Sequence, residues 1–342
     1  MFPIRTIEIE KNWDEPDYRI YRDMSVLTSD PESSILLPEN PLISELNRWA
    51  RNVTYLQVGF ATSGGGASAF RTIAILETMA HKGLWVDVFA GLSGGAVIGA
   101  FLAADEANGL DRVVNKAKKS GPILPSTMIS TKPIEHLVNE ELGFKRVGQT
   151  SLRFGAATAE LCNDGDKPAR QIIREGTLGQ AVRASGALPI LFAPCSVDGR
   201  RFTDGMAATI VPTDVAIEHG ADIVLSVNCI PGPDRTNPYD ESLLGRLAYL
   251  TPIGRAIDSW TWISFLVQNA SKAYAHGADV FFEFLPDKIS SMEPVKWWQA
   301  DKIRDAAWNE QARIIDAVED LRDVWIKKHK AITGQDYTNF PP

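Results

Sequence analysis

The stretch Leu84-Trp85-Val86-Asp87-Val88-Phe89-Ala90-Gly91-Leu92-Ser93-Gly94-Gly95-Ala96-Val97-Ile98-Gly99-Ala100-Phe101-Leu102-Ala103-Ala104 decides how this chain is read. Residues 84–90 form a short apolar run with β-branched and aromatic members, the pattern of a buried strand. Residues 96–104 are apolar and rich in alanine, which predicts a helix. Between them Gly91-Leu92-Ser93-Gly94-Gly95 fits Gly-x-Ser-x-Gly, so Ser93 is expected on a strand-to-helix turn. A serine at the tip of such a turn presents its hydroxyl uncovered, and flanking glycines let strand and helix approach closely. The helix start behind it offers unpaired N–H groups and the positive end of a dipole.

The preceding segment repeats the design. Thr54-Tyr55-Leu56-Gln57-Val58-Gly59-Phe60 reads as a strand, Ser63-Gly64-Gly65-Gly66 as a turn, and 67–82 as an amphipathic helix ended by Gly83. His81, in the last turn of that helix, reads as a C-terminal cap. Gly64, Gly65 and Gly66 bring a second set of bare N–H groups toward Ser93. The two turns together outline an oxyanion hole, in which one donor is worth roughly 3–4 kcal/mol.

Beyond Asp105 the pattern continues as alternating helices and strands. Two helices with a loop are expected over 106–145, the second starting at Thr131 and Pro133, with His136 packing inside it. Ser151 to Ala159 reads as a strand, Asn163 to Asp166 as a turn, and Thr177 to Gly186 as a helix. Cys195–Val197 and Arg201–Thr203 flank Asp198-Gly199, a hairpin signal. The second hairpin strand runs into Asp204-Gly205. Ala221 to Asn228 is another buried strand. This order predicts an α/β fold, a mostly parallel central sheet with helices on both faces in three α/β/α layers.

The outer segments read differently. Residues 1–50 are expected as an N-terminal extension packed on the core, with an edge strand over Phe2–Ile9 and a short helix over Pro41–Asn52. Residues 51–230 form the expected catalytic core. Residues 231–342 complete the same domain with a loop, apolar helices within 243–276, a strand over 280–285 and one long helix over 297–330. Trp260, Trp262, Trp297 and Trp298 suit either an interfacial anchor or core packing.

Composition bounds the function. The chain has 342 residues, 44% of them hydrophobic, enough to bury a sizeable core. Its net charge of −8 argues against a nucleic-acid partner. The three cysteines, Cys162, Cys195 and Cys229, are scattered without metal-ligand spacing or a disulfide framework. No metal and no cofactor is expected. The N-terminal residues lack the apolar core of a secretory signal, and no apolar run reaches the ~18 residues of a membrane span. The expected location is the cytoplasm, peripheral at a membrane, or outside by a signal-independent route. The sequence leaves the oligomeric state open.

Four segments, in order, resemble the patatin-like phospholipases. Ser63-Gly64-Gly65-Gly66 is similar to their glycine-rich oxyanion loop, and Gly91-Leu92-Ser93-Gly94-Gly95 to their nucleophile motif. Ala184-Ser185-Gly186-Ala187-Leu188-Pro189 is similar to the segment leading into their third motif. Asp204-Gly205 falls where the family keeps its catalytic aspartate. The resemblance covers roughly residues 53–230. The chain departs from it at Ser68-Ala69, where a basic residue and glycine are usual, and at Met206 after Gly205. The resemblance implies a serine lipid acyl hydrolase of the phospholipase A or lysophospholipase type, acting on glycerophospholipid or lysophospholipid esters. Ser93 would be the nucleophile, Asp204 its base, and Gly64, Gly65 and Gly66 the oxyanion donors, with Gly91, Gly95 and Gly205 as motif glycines.

Two other readings stay open. A serine–acid–histidine triad in α/β-hydrolase order would use His219 or His276 as base, although His219 before Gly220 suits a helix cap. A catalytically inactive binding module would keep the fold and lose the chemistry. Among rival aspartates, Asp198 suits the hairpin turn, Asp164 a loop, and Asp87 the wrong end of the strand before Ser93.

Overall fold

Strand β1 (Val58–Thr62) is the centre of the sheet, with β2 (Val88–Leu92) parallel on one side and β7 (Ile223–Asn228) parallel on the other. In this computed structural model the described residues are 56–120, 132–161, 169–173, 176–189, 192–197, 199–207, 209–230, 277–284 and 296–334. Strand β3 (Arg153–Glu160) runs parallel to β2, and β8 (Val280–Glu283) parallel to β7. Strands β4 (Ala169–Ile173), β5 (Cys195–Val197) and β6 (Arg200–Asp204) are the antiparallel members; β4 and β6 both pair with β3, and β5 with β6. The eight strands form one mixed sheet, mostly parallel, as the alternating pattern predicts.

The helices follow the strands. They are α1 (Thr72–His81), α2 (Gly94–Ala104), α3 (Gly109–Ser120), α4 (Lys132–Glu141), α5 (Leu178–Ser185), α6 (Thr213–Glu218), α7 (Ala300–Ala307) and α8 (Gln311–Thr333). Successive strand residues face opposite sides. Phe60, Phe89, Phe154 and Leu225 point to one face and join the core under α1, α2, α7 and α8. Ala61, Val88, Ala90, Leu92, Ala157 and Val224 point to the other, where Val215 and Ala216 of α6 cover them. Strands covered on both faces are mainly apolar, which is why β1, β2 and β7 read as largely hydrophobic runs. Phe60 and Phe89 stack at 5.4 Å between ring centroids, and burying each such ring contributes about 2–3 kcal/mol.

Asp87 ties the strand starts together. Its Oδ2 accepts the Val58 N–H at 2.9 Å, and its own N–H donates to the Val58 carbonyl at 2.8 Å. It therefore lies at the opposite end of β2 from Ser93. Gly83, in the left-handed region at φ 72°, ends α1 as expected.

Several expectations need correction. The helix over 67–82 opens as a 3-10 segment, Gly66–Arg71, before α1. The segment expected as one helix over 297–330 is divided: α7 and α8 are separated by a 3-10 turn, Trp308–Glu310, which lets α7 pack on α3 and α1 while α8 packs on α1, β7 and β8. Strand β4 has no counterpart in the sequence reading. His136 is exposed rather than packed, and its Nε2 lies 3.0 Å from Glu140 one turn on. The expected elements within 1–55, the turn at 163–166, Asp198, the loop and helices over 231–276 with Trp260, Trp262 and His276, Leu285 and Cys162 lie outside the described residues.

Candidate active site

Ser93 sits between β2 and α2 with φ 50° and ψ −117°, a positive φ that a residue with a side chain adopts only when its surroundings hold it there. The glycine-rich loop supplies part of that hold. A Cβ on Gly94 would overlap the Gly66 carbonyl oxygen, so the start of α2 can rest on the loop only because position 94 lacks a side chain. A Cβ on Gly64 would lie 2.9 Å from the Ser93 Cβ, which puts the loop directly against the serine. Gly65 has φ 99°, another conformation that favours glycine. Gly91, Gly95 and Gly205 also sit in close backbone packing, against Ala96, the Ser63 carbonyl and the Ala157 carbonyl respectively.

The loop is anchored to β7. Ser63 N–H donates to the Val227 carbonyl at 2.9 Å, and Ser63 Oγ accepts the Cys229 N–H at 2.7 Å. Among the described residues the N–H groups of Gly64, Gly65, Gly66 and Gly94 donate no hydrogen bond. Ser93, Gly65 and Gly66 are half-buried, so solvent reaches this corner.

Sheet register explains how Asp204 arrives there from far along the chain. Strands β2 and β4 both pair with Ala156 and Ala157 of β3, so they occupy opposite edges of it. Strands β4 and β6 both pair with Thr158 to Glu160, so β6 must lie on the β2 edge. Beside β3, Leu92 takes the place opposite Ala157 and Asp204 the next place, opposite Thr158. Strand β2 leaves that lane at Ser93, and β6 enters it from the other direction and ends at Asp204. The two meet head to head.

Asp204 is fully buried. Its Oδ1 accepts the Met206 N–H at 2.9 Å, while Oδ2 has no hydrogen-bond partner. Burial pushes the carboxyl up to about 7; the Met206 N–H and then the Ser93 hydroxyl pull the other way, because each favours the charged form. The serine lies close enough to act on the carboxyl, and Oδ2 is left without a hydrogen-bond partner. A carboxyl titrating near neutrality can take up and return a proton at physiological pH.

His219 is elsewhere. It ends α6 as its C-cap and is buried, and a Cβ on Gly155 would lie 2.9 Å from its Nε2. Gly155 is three residues upstream of Thr158, about 10 Å down the strand at the usual rise. That distance removes His219 from hydrogen-bond reach of Ser93. Its carbonyl accepts from Arg153 at 2.7 Å, a link between α6 and β3. Cys195 and Cys229 are buried and form no disulfide among the described residues, and Cys229 Sγ lies 3.5 Å from Thr62 Oγ1. Among the described residues no group of three or more His, Cys, Asp or Glu side chains converges as metal ligands do.

Ser185 is the residue whose role the sequence did not disclose. Its Oγ accepts the Ser93 N–H at 2.8 Å and donates to the Ala157 carbonyl at 2.7 Å. Its position in the Ala184–Pro189 segment was visible, but only the fold brings that segment beneath Ser93.

Residues 60–217 match the patatin-like phospholipase family model. Patatin-like phospholipase domain-containing protein 7 of Mus musculus is 27% identical over 236 residues, covering 64% of this chain and 16% of that protein. Neuropathy target esterase sws of Drosophila melanogaster is 28% identical over 235 residues, with coverage of 64% and 16%. Lysophospholipase nte1 of Aspergillus niger is 26% identical over 226 residues, with coverage of 63% and 14%. The chain thus spans about one sixth of the length of these relatives. Among solved structures, VipD from Legionella pneumophila superposes with a TM-score of 0.35 at 13% identity, covering 79% of this chain and 67% of that one. Residues 60–217, which hold Ser93, the glycine-rich loop and Asp204, are thus the part of the chain that is similar to the patatin-like phospholipase family.

Proposed function

We propose that this protein is a serine lipid acyl hydrolase that cleaves carboxylic esters of glycerophospholipids or lysophospholipids through an acyl-enzyme, using Ser93 and Asp204 without a histidine. The observation that carries the proposal is the buried Asp204 carboxyl, titrating near neutrality and ending its strand beside the strained Ser93 turn. An unassisted serine hydroxyl is a weak nucleophile, and a base near its working pH relieves that.

In the first half-reaction Ser93 Oγ attacks the acyl carbonyl carbon and its proton passes to Asp204. The carbonyl oxygen becomes an oxyanion, met by the unbonded N–H groups of Gly64, Gly65, Gly66 and Gly94 at the start of α2. The tetrahedral intermediate collapses, and Asp204 returns the proton to the departing alcohol. In the second half-reaction water loses a proton to Asp204 and attacks the acyl-serine. The carboxylic acid leaves and Ser93 is regenerated. The names of the relatives support the choice of phospholipid and lysophospholipid esters over other esters. The substrate would be met by peripheral contact with a lipid surface; no described helix is long and apolar enough to cross a membrane.

The test combines covalent labelling with lipid analysis. Wild type is expected to bond a fluorophosphonate at Ser93 and to release fatty acid from a phospholipid mixture followed by mass spectrometry. Ser93→Ala is expected to do neither. Release by Ser93→Ala at the wild-type rate, or folded wild type that neither labels nor hydrolyses, refutes the proposal.

A further inference from the structure

The short turn that ends α5 touches both partners of the proposed pair. Ser185 Oγ holds the Ser93 N–H at 2.8 Å. Two residues on, the Ala187 carbonyl accepts the Asp204 N–H at 2.9 Å and the Thr203 hydroxyl at 2.8 Å. Ser185 also donates to Ala157, the β3 residue opposite Leu92, whose carbonyl packs against Gly205. Ser185 and Ala187 are both fully buried.

We infer that the Ser185-Gly186-Ala187 turn is a positioning device that sets the distance and orientation between the Ser93 hydroxyl and the Asp204 carboxyl, with Ser185 as its contact to the Ser93 backbone. The inference rests on the serine–aspartate reading above. Three physical points support it. First, the Ser185 hydroxyl uses its one proton on Ala157 and a lone pair on Ser93 N–H, so its orientation is fixed from both sides. Second, the Ser93 N–H is consumed in this bond, so it does not serve the oxyanion; the bond holds the strained backbone in place while the free donors of the loop and Gly94 face the substrate. Third, Gly186 follows the last residue of α5 and its N–H returns to Val182 at 2.9 Å, so the turn is fixed by the end of a helix. A rigid element that locates two reacting groups keeps them near attack geometry, and a displacement of about 1 Å in such an arrangement can cost about a hundredfold in rate. Ser185 touches neither substrate nor the reacting atoms and acts through the Ser93 backbone.

The experiment compares Ser185→Ala, Ser185→Thr and Thr177→Ala in the full chain. Thr177 caps the other end of α5, its Oγ1 accepting the Gln180 N–H at 3.2 Å, so its loss loosens the same helix without touching Ser93. The readouts are kcat and KM on a 4-nitrophenyl ester and the rate of fluorophosphonate labelling at Ser93, both per folded molecule by near-ultraviolet circular dichroism. Ser185→Ala is expected to lower kcat and the labelling rate by about 30- to 100-fold with KM within about threefold. Ser185→Thr, which keeps the hydroxyl, is expected to recover most of the loss, and Thr177→Ala to stay within about threefold of wild type. Wild-type labelling in Ser185→Ala overturns the inference, as does an equal loss in Thr177→Ala or in a folded Ser185→Thr. If Ser185→Ala does not fold, Ser185→Thr against Thr177→Ala decides by the same criterion. Failure of the underlying reading would show separately, as absence of labelling in wild type itself.

Discussion

Replacing Asp204 by asparagine should make the protein more stable while destroying its activity, and the gain should depend on pH in a defined way. The carboxyl titrates at about 7 in the folded chain against 3.8 for the free side chain. A carboxyl with a raised folded pKa holds its proton in the native state over a range in which the unfolded chain has already lost it. The native state then binds more protons, so stability falls as pH rises from about 4 to about 7 and is level above that. Three pH units at 1.36 kcal/mol each put the full effect at about 4 kcal/mol. Asparagine has the same shape and no charge, and its carbonyl oxygen can keep the Met206 N–H. Urea unfolding of wild type and Asp204→Asn at pH 4.5 and pH 8 measures the difference. The expected outcome is an advantage for the variant of about 1 kcal/mol at pH 4.5 and about 4 kcal/mol at pH 8, with ester hydrolysis lost. An advantage that does not change with pH would refute the reasoning, because it would mean that the carboxyl ionises alike in both states. So would a variant less stable than wild type at pH 8.

In the proposed mechanism the same carboxyl governs the rate. Wild-type kcat/KM is expected to rise about tenfold per pH unit below pH 7 and to level off above it, as a base with that pKa requires; a flat profile from pH 5 to 8 would contradict Asp204 as the base. Gly94→Ala is expected to cost several kcal/mol or prevent folding, because its Cβ meets backbone, whereas Gly148→Ala, with open space around it, should stay within about 0.5 kcal/mol of wild type in thermal unfolding. His219→Gln is expected to lower stability through its buried position while each folded molecule keeps its turnover within a few-fold; loss of turnover in folded protein would revive a triad.

The parts of the site that the sequence made legible are those written into local backbone chemistry. Gly91-Leu92-Ser93-Gly94-Gly95 announces its turn because only glycine tolerates the approach of Gly66 and Ser63, and that need is local to a strand, a turn and a helix. The same holds for Gly83, for the helix start at Thr177, and for the hairpin strands, expected as Cys195–Val197 and Arg201–Thr203 and observed as Cys195–Val197 and Arg200–Asp204. The approach of the β6 end, with Asp204, to the β2 end before Ser93 is different in kind. It depends on β4 taking the outer edge of β3, which leaves the lane beyond Leu92 open for β6. Strand β4 carries Ala169-Arg170-Gln171-Ile172-Ile173, a polar and irregular pattern, because an antiparallel strand at the margin of the sheet does not need two apolar faces. The least conspicuous strand therefore fixes the decisive register. Ser185 was illegible for a related reason. A serine in the last turn of a helix is ordinarily a surface or capping residue, and its burial beneath Ser93 follows only from the packing of α5 against β3 and α2. Bare amides can be foreseen from glycine spacing. The hydroxyl that takes one of them out of use depends on a contact between residues 92 positions apart, which local spacing does not announce.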